Sequence, residues 1–144
     1  MTVRQLSVFV ENKKGRLADV AETLASARVS IRALSLADDP DYGIVRLVVD
    51  QPDNALAVLR ANGHTVKESE VIAVGAQDRP GSLARVLRAL ADADIDVDYM
   101  YATLVPGKPD VYVILRTHDN PSAMEALAAA GVPLCIWAVT EQVS

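Results

Sequence analysis

The feature that most constrains this chain is an internal duplication. When Gly15 is set against Gly81, the apolar positions Leu17, Val20, Leu24, Val29 and Ile31 fall on Leu83, Val86, Leu90, Ile95 and Val97. Val45, Leu47 and Val49 then meet Val111, Val113 and Leu115. After a two-residue insertion near Thr117-His118, Leu56, Leu59 and Gly63 meet Met124, Leu127 and Gly131. A repeat of about 68 residues is one supersecondary unit used twice. The 144 residues are therefore read as two domains, 1–69 and 70–144, joined near Glu68-Ser69-Glu70.

Each unit reads as strand, helix, strand, strand, helix, strand. Gln5 to Val10 alternates and is rich in β-formers, which predicts a strand. Leu17, Val20, Ala21, Leu24 and Ala25 recur at helical spacing, as do Leu83, Val86, Leu87, Leu90 and Ala91. The two leucines that open these stripes are expected to be buried. Strands are predicted over Val29 to Leu36 and Ile44 to Val49, separated by Asp38-Asp39-Pro40-Asp41. A short helix over Ala55 to Ala61 starts at Asn54 or Asp53 and stops at Gly63, and Thr65 to Glu68 forms an edge strand. In the second unit the strands are Val71 to Val74, Ile95 to Thr103, Val111 to Leu115 and Leu134 to Val139. Its hairpin lies at Pro106-Gly107-Lys108-Pro109 and its second helix runs from Ser122 to Ala130. The pattern predicts an α+β fold made of two ferredoxin-like βαββαβ domains, each a four-stranded antiparallel sheet with both helices on one face. Ile44, Val45, Leu47, Val48 and Val49 place apolar side chains on both sheet faces. A unit of this size buries only about 60% of its chain surface alone. Association of the units, and of two chains as a homodimer, is expected.

Composition narrows the function. With 51% hydrophobic and 23% charged residues the chain is not disordered. Apolar runs such as Val111 to Leu115 are far shorter than the ~20 residues that span a bilayer. Met1-Thr2-Val3-Arg4-Gln5 lacks the basic and apolar pattern of a secretory leader. The single cysteine, Cys135, suits a reducing compartment, so a cytoplasmic location is expected. Net charge is −5, with nine Lys/Arg against ten Asp/Glu in residues 1–70 and five against nine in 71–144. There is no basic patch for nucleic acid and no basic amphipathic helix for a membrane surface. His64 and His118 stand in no motif with Cys135 or a serine, and no metal spacing or phosphate loop is present. Neither catalysis nor a cofactor is expected.

Two segments carry chemistry, the strand-to-helix turns Glu11-Asn12-Lys13-Lys14-Gly15-Arg16-Leu17 and Gln77-Asp78-Arg79-Pro80-Gly81-Ser82-Leu83. A helix N-terminus offers unpaired N–H groups and partial positive charge, and glycine lets a ligand approach the backbone. The amides of Arg16 and Leu17, or of Ser82 and Leu83, suit a carboxylate. An Asn12 or Asp78 oxygen suits an ammonium, so an α-amino acid satisfies both halves. Asn and Asp are also common N-caps, and Pro80 suits a first helical turn. Either turn taken singly also reads as a simple cap.

The ordered run of these turns with Ile31-Arg32-Ala33-Leu34-Ser35-Leu36-Ala37-Asp38, Tyr42-Gly43-Ile44-Val45-Arg46 and Tyr99-Met100-Tyr101 resembles the small tandem ACT-domain proteins over nearly the whole chain. The resemblance implies a regulatory amino-acid-binding role, with a partner enzyme or regulator reading the change. It also implies ligands held between paired domains, by the turn of one and the start of the second strand of its neighbour. Carried over by position, the turns contribute Asn12 and Gly15 in the first unit and Asp78 and Gly81 in the second, and the second strands contribute Ser30 and Asp96. With Lys14, Arg16 and Leu17, and Pro80, Ser82 and Leu83, beside the glycines, these twelve residues make up the expected ligand-binding set. Lys14 stands where such modules often carry Pro, and Ser30 and Asp96 where they often carry Asn. Tyr42, Tyr99 and Tyr101 either shape a side-chain pocket or pack on neighbouring strands. Ligand-free protein–protein interaction is the alternative function.

Overall fold

Val8 and Val10 are buried, Phe9 between them is exposed, and this alternation sets the first strand, β1 (Val3–Glu11). The computed structural model describes residues 2–38, 40–104 and 111–134. These divide into a unit of Arg4–Ser69 and a unit holding the described residues from Glu70 onward together with residues 2–3. In the first unit, β1 leads to α1 (Arg16–Ser26), β2 (Ile31–Asp38), β3 (Tyr42–Val49) and α2 (Pro52–Ala61). Strand β4 (Thr65–Ala76) runs from the first unit into the second, where α3 (Ser82–Asp92), β5 (Val97–Leu104), β6 (Val111–Thr117) and α4 (Asn120–Ala129) follow. The hydrogen-bonded order of these six strands is β2-β3-β1-β4-β6-β5.

Within each unit the two helices and one sheet face share a core. In the first, Leu6, Val8, Val45 and Leu47 meet Val20 and Leu24 of α1 and Ala55 and Leu59 of α2. In the second, Ile72, Val74, Val113 and Leu115 meet Val86, Leu90, Ala123 and Leu127. Each fully buried Leu or Ile contributes about 1.5–3 kcal/mol, which is how the duplicated apolar positions specify the same fold twice. The helices leave by matching routes. Gly63 (φ +83°) and Gly131 (φ +76°) follow α2 and α4. His64 and Val132 then donate their N–H to the carbonyls of Leu59 and Leu127, the six-residue closure of a helix end.

Four expectations need correction. Leu17 and Leu83 are not buried, being 45% and 41% exposed, and the inward faces of α1 and α3 start at Val20 and Val86. Ala21, Ala25 and Ala91 are exposed as well, so each buried stripe is narrower than the spacing suggests. Helix α2 starts at Pro52 behind Gln51, with no side-chain cap from Asn54 or Asp53. Asp53 instead receives the Arg4 Nη2 donor at 2.6 Å, and Arg4 also pairs with Glu68. The expected separate strands Thr65 to Glu68 and Val71 to Val74 are one continuous β4, because ladder pairing carries the polar Glu68-Ser69-Glu70 along. In the second unit only Leu134 of the predicted last strand is described, bridging Val74. Asp39, the Pro106–Pro109 hairpin, Cys135 and Trp137 lie outside the described residues.

Helix α4 begins earlier than predicted because Asp119 caps it. The Ser122 N–H donates to Asp119 Oδ1 at 3.1 Å and the Ser122 hydroxyl to Oδ2 at 2.7 Å. These bonds hold the Asp119 carboxyl below its ordinary value. A carboxylate depressed in this way stabilises the fold above its unfolded pKa and loses that contribution as pH falls through its folded value. Asp119→Ala is expected to lower the Tm by a few degrees at pH 7, with the gap closing as the pH is taken below about 4. Asp119→Asn, which retains an acceptor, loses less. Thermal melts of the three proteins from pH 7 to pH 3 check this.

Candidate functional site

The two strand-to-helix turns share three backbone hydrogen bonds. Lys13 N–H donates to Glu11 O and Arg79 N–H to Gln77 O, both at 2.8 Å. Arg16 N–H donates to Lys13 O and Ser82 N–H to Arg79 O, both at 3.3 Å. The helices then close their first bonds from Asp19 N–H to Gly15 O at 2.9 Å and from Arg85 N–H to Gly81 O at 3.0 Å. Gly15 and Gly81 are therefore the N-caps, both left-handed, at φ +85° and +90°. Neither helix has a side-chain cap.

The simple-cap reading of Asn12 and Asp78 is thereby corrected. Asn12 Nδ2 donates to Pro40 O at 3.3 Å and Asp78 is exposed in the bend before Pro80. Pro80 precedes the glycine cap rather than opening the helix. Of the amides expected as donors, those of Arg16 and Ser82 are drawn into the turn. Those of Leu17 and Leu83, with Ala18 and Ala84 beside them, have no hydrogen-bond partner among the described residues. Lys14 is exposed at the tip of the first turn.

A concavity adjoins each turn. In the second unit it encloses about 620 Å³ between Gln77–Ser82 and the Gly131–Pro133 segment that follows α4. One wall is Arg85, whose Nη2 donates to Ala130 O at 2.7 Å. In the first unit the equivalent positions line two hollows, one of about 550 Å³ beside Arg16, Asp19 and His64 and one of about 300 Å³ between Glu11, Arg16 and the Gly63–Thr65 segment. The smaller is bordered by Phe9 and Tyr42, whose ring centroids are 6.5 Å apart. The repeat places Gly75 where the first unit has Phe9, so no side chain fills that wall.

The charges around the turns also differ. Lys13 Nζ meets Glu11 Oε2 at 2.9 Å and holds that carboxyl below its ordinary value. Arg16 Nη1 lies 3.8 Å from Asp19 Oδ2. The corresponding positions in the second unit are Gln77, Arg79, Ser82 and Arg85, which include no acid. Gln77, Arg79 and Arg85 line the second unit's hollow beside the expected Pro80, Gly81 and Ser82.

Ser30 and Asp96 lie elsewhere. Ser30 N–H donates to Asp50 Oδ1 at 2.9 Å and Asp50 N–H returns to Ser30 O at 3.1 Å, while Asp96 N–H faces His118 Nδ1 at 3.4 Å. In the register of the first unit Ile31 pairs with Val49, but Glu11 pairs with Tyr42. The seven residue steps from Tyr42 to Val49 span about 23 Å of strand. Within its own unit Ser30 is thus at the far end of the sheet from Asn12–Leu17, and Asp96 is likewise remote from Asp78–Leu83. No group of three or more His, Cys, Asp or Glu side chains able to hold a metal occurs among the described residues. No helix among them is long and apolar enough to cross a membrane.

The left-handed glycines carry a measurable requirement. A Cβ at Gly81 meets nothing within 4 Å, so the penalty for alanine there is conformational and not steric. Gly81→Ala is expected to lower stability by about 1–2 kcal/mol, and Gly81→Asn by less. Urea denaturation of the three proteins measures the difference.

Comparison with known proteins agrees with this fold. The model of the ACT domain pair matches residues 1–132. An aspartokinase of Mycolicibacterium smegmatis is 31% identical over 104 residues, which is 70% of this chain and 25% of that protein. An aspartokinase of Corynebacterium efficiens is 34% identical over 96 residues, 65% of this chain and 23% of that protein. The chain thus spans about a quarter of the length of these curated relatives. Among solved structures, a protein from Bacteroides thetaiotaomicron superposes with a TM-score of 0.91 at 32% identity, covering 99% of this chain and 98% of that one. The ligand-free regulatory subunit of aspartate kinase from Thermus thermophilus gives a TM-score of 0.64 at 18% identity, covering 88% and 91%. The second likeness is one of fold.

Proposed function

The chain belongs to the ACT domain pair family, and on that premise we propose that it is a non-catalytic regulatory protein that senses a free α-amino acid. Two ACT-like domains, 1–69 and 70–144, each with a four-stranded sheet, bind the ligand where paired domains meet. The α-carboxylate is received by the amides at the start of α1 or α3, with Gly15 or Gly81 keeping the approach clear of side chains. An oxygen of Asn12 or Asp78 accepts from the ammonium. Lys14, Arg16, Pro80 and Ser82 shape the two turns, and Ser30 or Asp96 joins from the neighbouring domain. Occupancy biases domain packing in a homodimer, and a partner enzyme or regulator in the cytoplasm reads the change.

The observation that carries this reading is the pair of uncapped helix starts, at which Leu17 and Leu83 offer N–H groups that the described chain leaves unused. The aspartokinase relatives support a regulatory role. Leu34 and Leu36, 54% and 50% exposed on β2, favour the second reading, a ligand-free interaction module.

A thermal-shift screen with each of the twenty amino acids at millimolar concentration decides between them. A ligand at 100 times its Kd stabilises by about 2.7 kcal/mol, which reads as a Tm rise of several degrees. Gly81→Val is expected to abolish the part of that rise that arises in the second unit. No shift with any amino acid supports the interaction module instead.

A further inference from the structure

Helix α2 closes on Asn62, its C-cap residue, and on Gly63, which is left-handed at φ +83°. Of the four asparagines in the chain, Asn62 alone is followed by glycine, while Asn12, Asn54 and Asn120 precede Lys13, Ala55 and Pro121. The difference is chemical. A backbone nitrogen attacks the carboxamide of the residue before it most readily when no Cβ crowds the approach, and glycine has none. The nitrogen of proline has no hydrogen to lose. Asn62 and Gly63 are both exposed, and a Cβ built at Gly63 meets nothing within 4 Å, so no neighbour shields the pair.

The end of the helix holds the two reacting groups apart. Asn62 Nδ2 donates to Val58 O at 2.8 Å, which folds the carboxamide back along the helix. Gly63 N–H donates to Arg60 O at 3.0 Å. At the Asn62 ψ of 14°, Cβ is more than a quarter turn away from the plane it must share with the Gly63 nitrogen in a five-membered ring. These restraints belong to one helical turn, and helix ends open far more easily than the whole fold. The repeat shows that the carboxamide is not needed to build this end. Ala130 takes the same C-cap place before Gly131, and Val132 N–H closes on Leu127 O at 2.9 Å just as His64 N–H closes on Leu59 O at 3.0 Å.

We propose that Asn62 is a site of spontaneous deamidation in the folded protein, with opening of the last turn of α2 setting its rate. The Gly63 nitrogen, having given its proton to hydroxide, bonds to Asn62 Cγ. The Cγ–Nδ2 bond breaks, and Nδ2 takes up a proton from water and leaves as ammonia. Water then opens the cyclic imide, at Cγ to give aspartate or at the Asn62 backbone carbonyl to give isoaspartate. One water is consumed and one ammonia released, and nothing is oxidised or reduced. Either product places a carboxylate in the walls of the first unit's two hollows, which Asn62 lines together with Arg16 and His64. Isoaspartate also adds a methylene to the main chain inside the loop that the bond from His64 N–H to Leu59 O closes.

The full chain is incubated at pH 8 and 37 °C, folded and in guanidinium chloride. Peptide mapping by mass spectrometry follows each asparagine, and an isoaspartyl methyltransferase assay follows the isomer. Asn62 is expected to convert first in both samples. Conversion in the folded chain is expected to be slower by about tenfold or more, since two hydrogen bonds must break before the ring closes. Asn62→Ala, which copies Ala130, is expected to lose the early isoaspartate signal. Equal rates in the two samples overturn the proposal, as does earlier conversion at Asn12 or Asn54. A folded chain that shows no conversion at Asn62 after many half-lives of the unfolded one overturns it as well, as does an undiminished isoaspartate signal in Asn62→Ala.

Discussion

A helix that begins at a left-handed glycine has no side chain with which to satisfy its own first amides. Everything distinctive in this molecule follows from that constraint, met twice. The turn that precedes each helix uses backbone bonds only, from Lys13, Arg16 and Asp19 in one unit and from Arg79, Ser82 and Arg85 in the other. It takes up the amides of Arg16 and Ser82 and leaves those of Leu17 and Leu83 without a partner among the described residues. The start of α4 is capped differently, by the Asp119 side chain, which accepts from the Ser122 N–H.

The scaffold keeps these starts rigid. Val20 and Leu24 pin α1 to the sheet, and Val86 and Leu90 pin α3, at about one and a half and two and a half turns from the glycines. Because protein interiors are close-packed, an element anchored so near its end does not drift. The second helix of each unit contributes through the segment after its C-terminal glycine, which faces the turn across the concavity. Where the repeat is strict, it builds core and backbone. Where it is relaxed, at Phe9 and Gly75, Glu11 and Gln77, and Asp19 and Arg85, it changes the side chains that line the hollows beside the turns.

Much of this was legible in the residues alone. Duplicated apolar spacing located the described helices and most of the strands, though it split β4 in two, because burial of Leu24 and Leu90, or Leu59 and Leu127, depends on period and not on distant context. Gly15, Gly81, Gly63 and Gly131 announced backbone conformations that few other residues adopt. The errors have local causes. Leu17 and Leu83 have the right spacing for a core face, but spacing does not reveal where the strands beneath a helix end. Asn12 and Asp78 look like caps until glycine proves to occupy the cap position. Pro52 and Asp119, and not the polar residues after them, fix the starts of α2 and α4. The separation of Ser30 from the turn, and of Asp96 from its own, is a matter of strand register, which short-range motifs do not encode. It leaves a joint role for these residues only if they come from different domains.

The proposal that a ligand carboxylate engages the free amides is tested most directly by a two-dimensional 15N–1H titration. The full chain would be titrated with the amino acid that stabilises it most, and in parallel with that compound's α-carboxamide. The expected result is saturable movement of the Leu17 and Ala18 or the Leu83 and Ala84 amide resonances with the acid, and little movement with the carboxamide. Equal responses to both compounds, or saturable shifts that leave all four amides where they were, would contradict it.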